Sequence, residues 1–435
     1  MEIIFEKACN EELNNCTEIS QKKYSKFQNK LKKLYNNENY NFFNIYKNEE
    51  IITEIENWWE NKKDKFDFFV NLGIGGSSLG GKALINSFIE KKQWHNFSKV
   101  KDKIVFFFPD NVDPDEFGEI INSLPLERTL FNVVSKSGTT VETMAQLMAV
   151  WPLLKKKNLI STNIIFTTDP NKGELSYLAE EYNIKKFTIP PEIGGRFSVL
   201  SPVGLIPAII SGINVRDVMK GAKESAEFFM NAKQDENSPF LFSSLNYNLW
   251  KKKKNIVVLF SYGSKLNLWG DWFAQLWAES IGKKRDNKGV GSTPLKAVGA
   301  TDQHSLMQLF LEGPKDKIIY FLTTKKYSTK VKTGKIFSNR EKLEYLGGKE
   351  LGKLLNIEYN ATVKALNEKN IPNVLIELSS VSPRNIGRLI LFFETAIFYA
   401  GELYKVNPFD QPAVEEIKKY IYGKMGRKGF EEFNL

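Results

Sequence analysis

Runs of consecutive apolar residues, each closed by small or polar residues and followed by a stretch with helical spacing, recur along this chain. A run that is apolar at nearly every position, rather than at every second one, is how a strand reads when both faces are buried, as in parallel sheets. In the first half the runs are Phe68 to Leu72, Ile104 to Phe108, Leu130 to Val134, Ile164 to Thr168 and, more polar, Lys186 to Ile189. In the second half they are Ile256 to Ser261, Lys317 to Leu322 and Val374 to Leu378. Helical patterns over Trp269 to Ser280, Lys349 to Asn370 and Arg384 to Tyr404 lie between and after these. Strands alternating with helices predict an α/β fold with mostly parallel sheets flanked by helices, in two units. The expected division is 1–64, a helical segment packing on the second domain; 65–205, a first α/β domain; and 206–435, a second α/β domain with C-terminal helices. No internal repeat or low-complexity linker interrupts the pattern.

Two loops at strand ends carry the clearest chemistry. Ser135-Lys136-Ser137-Gly138-Thr139-Thr140 follows the run Leu130 to Val134 directly. Hydroxyls, an ammonium and a flexible glycine at a strand-to-helix junction suit a compact dianion, because helix N-termini offer unpaired N–H donors and partial positive charge. The plain alternative is an ordinary helix N-cap. Phe68 to Leu72 likewise breaks into Gly73-Ile74-Gly75-Gly76-Ser77-Ser78-Leu79-Gly80-Gly81, whose glycines allow close backbone approach to a ligand. Nucleotide fingerprints fit poorly. Ser78 stands where the third glycine of G-x-G-x-x-G belongs, and Ala83 where a P-loop after Gly81-Lys82 needs Ser or Thr. Two hydroxyl-bearing strand-end loops in one α/β unit point instead to a small phosphorylated metabolite, with sugar phosphates the best fit.

Composition narrows the class. At 435 residues with 42% hydrophobic content, the chain can bury an ample core. The two cysteines, Cys9 and Cys16, form neither a disulfide framework nor a zinc spacing, which suits a reducing compartment. The N-terminus Met1 to Lys7 lacks a basic segment followed by an apolar leader, and no apolar run is long enough to span a bilayer, so the expected location is cytoplasmic, with no membrane partner. The formal charge of +10 and the run Lys251 to Lys254 invite a nucleic-acid reading. Those lysines have no interleaved aromatics and precede the buried-strand pattern Ile256 to Phe260, so they read as solvated surface, with no nucleic-acid partner.

Four further clusters hold reactive side chains. In Glu192-Ile193-Gly194-Gly195-Arg196-Phe197-Ser198 the paired glycines free the backbone and Arg196 offers a permanently charged fork; a tight turn with a surface arginine is the bland reading. Trp277-Ala278-Glu279-Ser280-Ile281-Gly282-Lys283 ends an apolar helix with a carboxylate beside aromatics, an environment suited to a base, although helix-end glutamates are commonly surface residues. Gly299 to Ser305 contains His304, one of two histidines and so a candidate for proton transfer or a structural histidine. In Phe409-Asp410-Gln411-Pro412 through Lys418, Pro412 opens a helix that carries Lys418 about two turns beyond Gln411. No His/Cys/carboxylate group has metal spacing, and no nucleophile elbow is present.

Taken in order, Gly75-Gly76-Ser77, Ser135 to Thr140, Gly194 to Ser198, Glu279 to Lys283, Gln303-His304 and Phe409 to Lys418 resemble the loops of glucose-6-phosphate isomerases, over roughly residues 65 to 430, in the compact bacterial form. Two departures stand out: Ala413 where the family usually has glycine, and Ser137 where other branches have threonine. The resemblance implies two sugar-isomerase (SIS-type) domains in a homodimer with a shared active site, acting on a sugar phosphate. It implies phosphate on Ser135, Lys136, Ser137 and Thr140, with Gly76 and Ser77 close by, and Glu279 as the base working through a cis-enediol. Arg196 would steady developing charge. His304, reaching in from the partner subunit, and Lys418 would move protons during ring opening, while Gln411 positions substrate. The implied chemistry uses neither metal nor redox cofactor.

Overall fold

The computed structural model describes Glu6–Lys7 and residues 17–434. The expectations for Cys9, Cys16 and the first five residues lie outside the described residues. Two five-stranded sheets organise the chain. The first contains β2 (Phe68–Leu72), β3 (Val105–Phe107), β4 (Thr129–Val134), β5 (Ile164–Thr168) and β6 (Lys185–Thr188), all parallel in the order β3-β2-β4-β5-β6. The second has the order β1-β12-β11-β7-β10. Its parallel strands are β7 (Ile256–Tyr262), β10 (Thr293–Gly299), β11 (Lys317–Thr324) and β12 (Asn373–Leu378), and β1 (Glu6–Lys7) joins its edge antiparallel. A small antiparallel ribbon pairs β8 (Lys283–Arg285) with β9 (Lys288–Val290).

Each sheet is sandwiched, which is why its strands are apolar on both faces. In the first sheet Phe69, Phe106, Leu130, Ile165 and Phe187 share a core with Ala83 to Ile85 of the helix Leu79–Asn86. The alternate residues Phe68, Val70, Phe107, Phe131 and Val133 meet Leu147, Val150 and Leu154 of the helix Val141–Lys156. In the second sheet Val257, Leu259, Tyr320 and Ile376 belong to the same core as the first set, together with the helices Pro202–Ile210, Leu268–Ile281 and Pro383–Tyr404. One helical layer therefore covers a face of both sheets, and it carries the segments between them.

Strand β10 is the element that the hydrophobic pattern misses. It is an edge strand with five of its seven positions at least partly exposed, so its sequence Thr-Pro-Leu-Lys-Ala-Val-Gly mixes polar and apolar residues, and Pro294 sits near its start, where an edge tolerates a missing donor. The β8–β9 ribbon lacks any long apolar run for the same reason, and β1 is only two residues long. The N-terminal helices reach two regions. Tyr24 and Gln28 of Gln21–Tyr35 bond the Ala232 and Phe229 carbonyls, whereas Trp58 of Glu49–Glu60 packs edge-on against Phe187 of β6. Among the described residues no helix is long and apolar enough to cross a membrane.

The helices Val215–Asn231 and Pro383–Tyr404 touch backbone to backbone. A side chain at Gly387 would stand 1.9 Å from the Val218 carbonyl oxygen, so the approach requires glycine there. Beside that contact Glu224 accepts hydrogen bonds from both Arg384 and Arg388, with Nε distances of 3.0 and 3.1 Å. The Arg384 bond first, aided by Arg388, pulls its carboxyl from the ordinary 4.5 down to about 2. A lowered folded-state value means stability that is present above the ordinary value and is lost as pH falls toward 2. Denaturant midpoints of the wild type and Glu224→Gln should therefore differ most above about pH 5 and converge between about pH 4 and 2. A gap of equal size at neutral pH and near pH 2 would contradict this pairing.

Candidate active site

The crossover direction reverses at β2, whose neighbours β3 and β4 lie on opposite sides, and the helices after β2 and β4 cover opposite faces. The C-terminal edge between such strands is the crevice where open α/β sheets bind ligands. Both hydroxyl-bearing loops leave from this edge. A buried ladder stiffens it: Thr167 Oγ1 donates to Asn132 Oδ1 at 2.8 Å, Asn132 Nδ2 to Asn71 Oδ1 at 3.0 Å, and Asn71 Nδ2 to the Ser77 carbonyl at 3.1 Å. Sequence reasoning overlooks these three residues, although a lone polar residue inside an apolar strand is the available signal.

The loop after β4 curls around Ser135. Its Oγ lies 2.9 Å from Thr140 Oγ1 and 3.5 Å from Ser137 Oγ, and it accepts the Gly138 N–H at 3.1 Å. Gly138 has φ +66°, and a side chain there would strike the Glu174 nitrogen at 2.8 Å. Thr140 precedes the helix Val141–Lys156 without a side-chain capping bond. The N-cap alternative therefore fails: the hydroxyl turns into the loop, and the helix start stays open to an anion. The Lys136 ammonium points elsewhere, to the carbonyls of Pro191 at 2.5 Å and Ile193 at 3.0 Å. Burial lowers its pKa, opposed by Asp169 and Glu192. It ties this loop to the turn three residues before Arg196, within about 10 Å of chain.

Gly76 and Ser77 lie on the 3₁₀ turn Gly75–Ser77. A side chain at Gly76 would stand 2.2 Å from the Gly195 carbonyl carbon, so these two glycine loops meet backbone against backbone. That contact aims Arg196 inward. Its guanidinium is buried, and all five N–H donors have partners: Nε to Ser280 Oγ at 2.7 Å, Nη1 to Glu279 Oε2 at 3.1 Å and Gln411 Oε1 at 2.9 Å, and Nη2 to the carbonyls of Pro408 at 2.6 Å and Asp410 at 2.9 Å. Burial pushes the Arg196 pKa down, and the charges of Glu279 and Asp410 oppose that. The bland reading of Arg196 as a surface arginine is excluded by its 2% exposure.

Glu279 is one-third exposed and lines a cavity of about 960 Å³ with Lys283, Asp410, Gln411 and Val414. Lys283 secures the far wall through the Asp410 carboxylate at 2.7 Å and the Asp410 carbonyl. Lys418, on the exposed helix Pro412–Lys424, instead pairs with Glu415 at 2.6 Å, and no contact joins it to Arg196 or Glu279. His304 is exposed, and no contact joins it to Glu279. The backbone at Gly291, just before β10, abuts the Ile281 carbonyl at the end of Glu279's helix, whereas His304 follows the other end of β10. Seven strand residues, roughly 20 Å, separate those ends. The turn holding His304 is pinned there, as Val298 N donates to Asp302 at 2.7 Å and Gln303 Nε2 to Tyr262 and Thr362. Among the described residues no group of three or more His, Cys, Asp or Glu side chains is arranged to hold a metal ion.

A switch-point α/β sheet carries an open helix start ringed by hydroxyls and a carboxylate tied to a buried guanidinium, and the family that the chain matches makes it an isomerase of a phosphorylated sugar. A model of the phosphoglucose isomerase family matches residues 47–426. The chain is 42% identical over 399 residues to the glucose-6-phosphate isomerase of Carboxydothermus hydrogenoformans, covering 90% of this chain and 86% of that one. A hypothetical protein of Thermus thermophilus with solved structure superposes with a TM-score of 0.84 at 32% identity, covering 92% of this chain and 94% of the other. The glucose-6-phosphate isomerase structure from Chlamydia trachomatis shares the fold, with a TM-score of 0.79 at 22% identity over 96% of this chain and 87% of its own. The chain belongs to the phosphoglucose isomerase family.

The hydroxyl loop makes a direct prediction. Thr140→Ala removes one member of the Ser135 ring without touching Glu279, so binding of sugar phosphates and of inorganic phosphate should weaken together, by roughly ten-fold each. Competition by phosphate in a steady-state assay reads this, and an unchanged inhibition constant would put the anion elsewhere.

Proposed function

We propose that this chain catalyses the reversible isomerisation of D-glucose 6-phosphate to D-fructose 6-phosphate. The observation that carries the reading is the Glu279 carboxylate, bonded at 3.1 Å to a buried guanidinium and facing a cavity, in a chain of this family. The phosphate sits on Ser135, Ser137 and Thr140 at the open helix start, with Ser77 nearby and Lys136 contributing its charge from behind the loop. The reacting end of the open-chain sugar then reaches the cavity of Glu279.

Glu279 removes the proton from C2 of the aldose while the C1 carbonyl oxygen gains one, giving the cis-enediol. The same carboxyl returns its proton to C1, the O2 hydroxyl loses its proton, and the ketose carbonyl forms at C2. One hydrogen has moved from C2 to C1 with no net oxidation, so the step needs no redox cofactor. Arg196 steadies the charge that develops on O1 and O2. With every donor engaged, it acts through its field and by exchanging the Gln411 bond for a substrate oxygen. Gln411 then helps to position the sugar.

Ring opening precedes this chemistry, and we assign it to Lys418 and to His304 of the partner subunit. The roughly 20 Å strand between the end of Glu279's helix and the chain's own His304 turn supports a site shared between the subunits of a homodimer.

Purified protein should convert fructose 6-phosphate in a coupled assay, and Glu279→Gln should lower kcat by on the order of 10²–10⁴ with little change in KM. Mixing Glu279→Gln with His304→Ala chains should restore activity, because some heterodimers hold one intact site. No recovery despite demonstrated subunit exchange would refute the shared site. Near-normal turnover by Glu279→Gln would remove it as the base.

A further inference from the structure

The second sheet repeats the geometry that places the candidate active site on the first. Strand β7 has β10 and β11 on opposite sides, and the helices that follow β7 and β11, Leu268–Ile281 and Leu351–Glu368, cover opposite faces. The C-terminal edge between β7 and β11 is therefore a second switch-point crevice. A cavity of about 400 Å³ lies there, a volume within the range of small-molecule sites. The loops beside it resemble those of the first sheet in chemistry: Gly263-Ser264-Lys265 follows β7, and Lys326-Tyr327-Ser328-Thr329 lies beyond the end of β11, so both bring hydroxyls and an ammonium to the edge.

The walls are held in place. A side chain at Gly352 would stand 2.8 Å from the Tyr327 ring, so glycine lets that ring lie against the start of Leu351–Glu368, and the Tyr327 hydroxyl donates to Asn356 Oδ1 at 3.3 Å. The β7 loop is fixed from behind, because Asn86 Nδ2 donates to the Ser264 carbonyl at 3.1 Å and Ser87 Oγ to the Lys265 carbonyl at 3.0 Å. Tyr262, Leu266, Tyr327 and Leu355 give the cavity an apolar lining. Its charge is one-sided: Lys265 and Lys326 line it, and no carboxylate does. Lys265 Nζ reaches the Ser328 hydroxyl at 3.4 Å, and among the described residues neither ammonium has an ion-pair partner. Two cations with no acid beside them, at an apolar cavity, select a ligand with a negative head and an apolar body.

We propose that this crevice is a second ligand site, for a small organic anion whose apolar body lies between Tyr262, Tyr327 and Leu355 and whose carboxylate or phosphate head meets Lys265 and Lys326. It shares no lining residue with the cavity of Glu279, so it does not depend on the proposed reaction.

Naphthaleneacetate and naphthyl phosphate carry the two heads on one apolar body, and isothermal titration of the full chain with each reads the site. At least one should bind, with one site per chain. Reversing both lysines, Lys265→Glu with Lys326→Glu, should weaken that binding roughly ten-fold or more and leave kcat unchanged, since neither lysine belongs to the proposed catalytic groups. Naphthalenemethanol has the body without the charge, so it should bind more weakly and lose little on the reversal. The tighter of the two anions identifies the head. Naphthyl phosphate also offers a phosphate to the hydroxyl loop of Thr140, so its titration is repeated in Thr140→Ala, and only binding that survives there and fails on lysine reversal counts for the crevice. Thermal midpoints of the variants check that each is folded. Absence of binding by both anions, or binding that the double reversal leaves unchanged, would overturn the second site.

Discussion

The buried guanidinium of Arg196 is the interaction around which the candidate site is assembled. A charge taken out of water is tolerated only when its hydrogen bonds are replaced, and here five donors meet five acceptors. Those acceptors come from the helix of Glu279 and Ser280 and from the 408–411 turn, while Arg196 itself follows the last strand of the first sheet. Three segments distant in sequence are thereby held at one point. Removing one partner of such a buried charge costs about 3–5 kcal/mol, so the arrangement behaves as a unit.

The same saturation shapes the chemistry. A guanidinium with a spare fork would grip substrate directly, whereas this one holds Glu279 and the turn and, in the proposed reaction, acts on substrate mainly as a fixed positive charge. Its Nη1 partners, Glu279 and Gln411, are side chains, while its Nη2 partners are backbone carbonyls. Exchange with a ligand is therefore confined to the side of the guanidinium that faces the cavity. Lys283 repeats the logic one layer out by holding the Asp410 carbonyl and one of its carboxylate oxygens.

Legibility in the sequence follows burial. Strands covered on both faces, such as β2 and β7, are read almost to the residue because continuous apolar runs have no other common cause. Edge strand β10, largely exposed and carrying Pro294 at its second position, leaves no such trace. Motif glycines announce a close approach but not its partner: Gly76 meets the Gly195 backbone. The Lys136 ammonium is similarly visible in sequence while its attachment to the Pro191 and Ile193 carbonyls is not. Contacts made across tens of residues, including the Asn71–Asn132–Thr167 ladder, depend on strand register, which a single chain read in order does not supply. Helix spacing is different. Gln275 and Glu279 are i,i+4 neighbours and could be paired from sequence alone, yet a glutamine carries no chemical label that draws the eye.

In the proposed reaction Arg196 serves as both clamp and charge, and one substitution separates the two roles. Arg196→Lys keeps the charge and reduces five planar donors to a three-donor point. Steady-state turnover and backbone hydrogen exchange over residues 406–412 should be measured on the same folded sample. A clamp predicts a fall in kcat of on the order of 10² or more together with faster exchange of that turn. A correctly folded variant with near-normal turnover and unchanged exchange would contradict it.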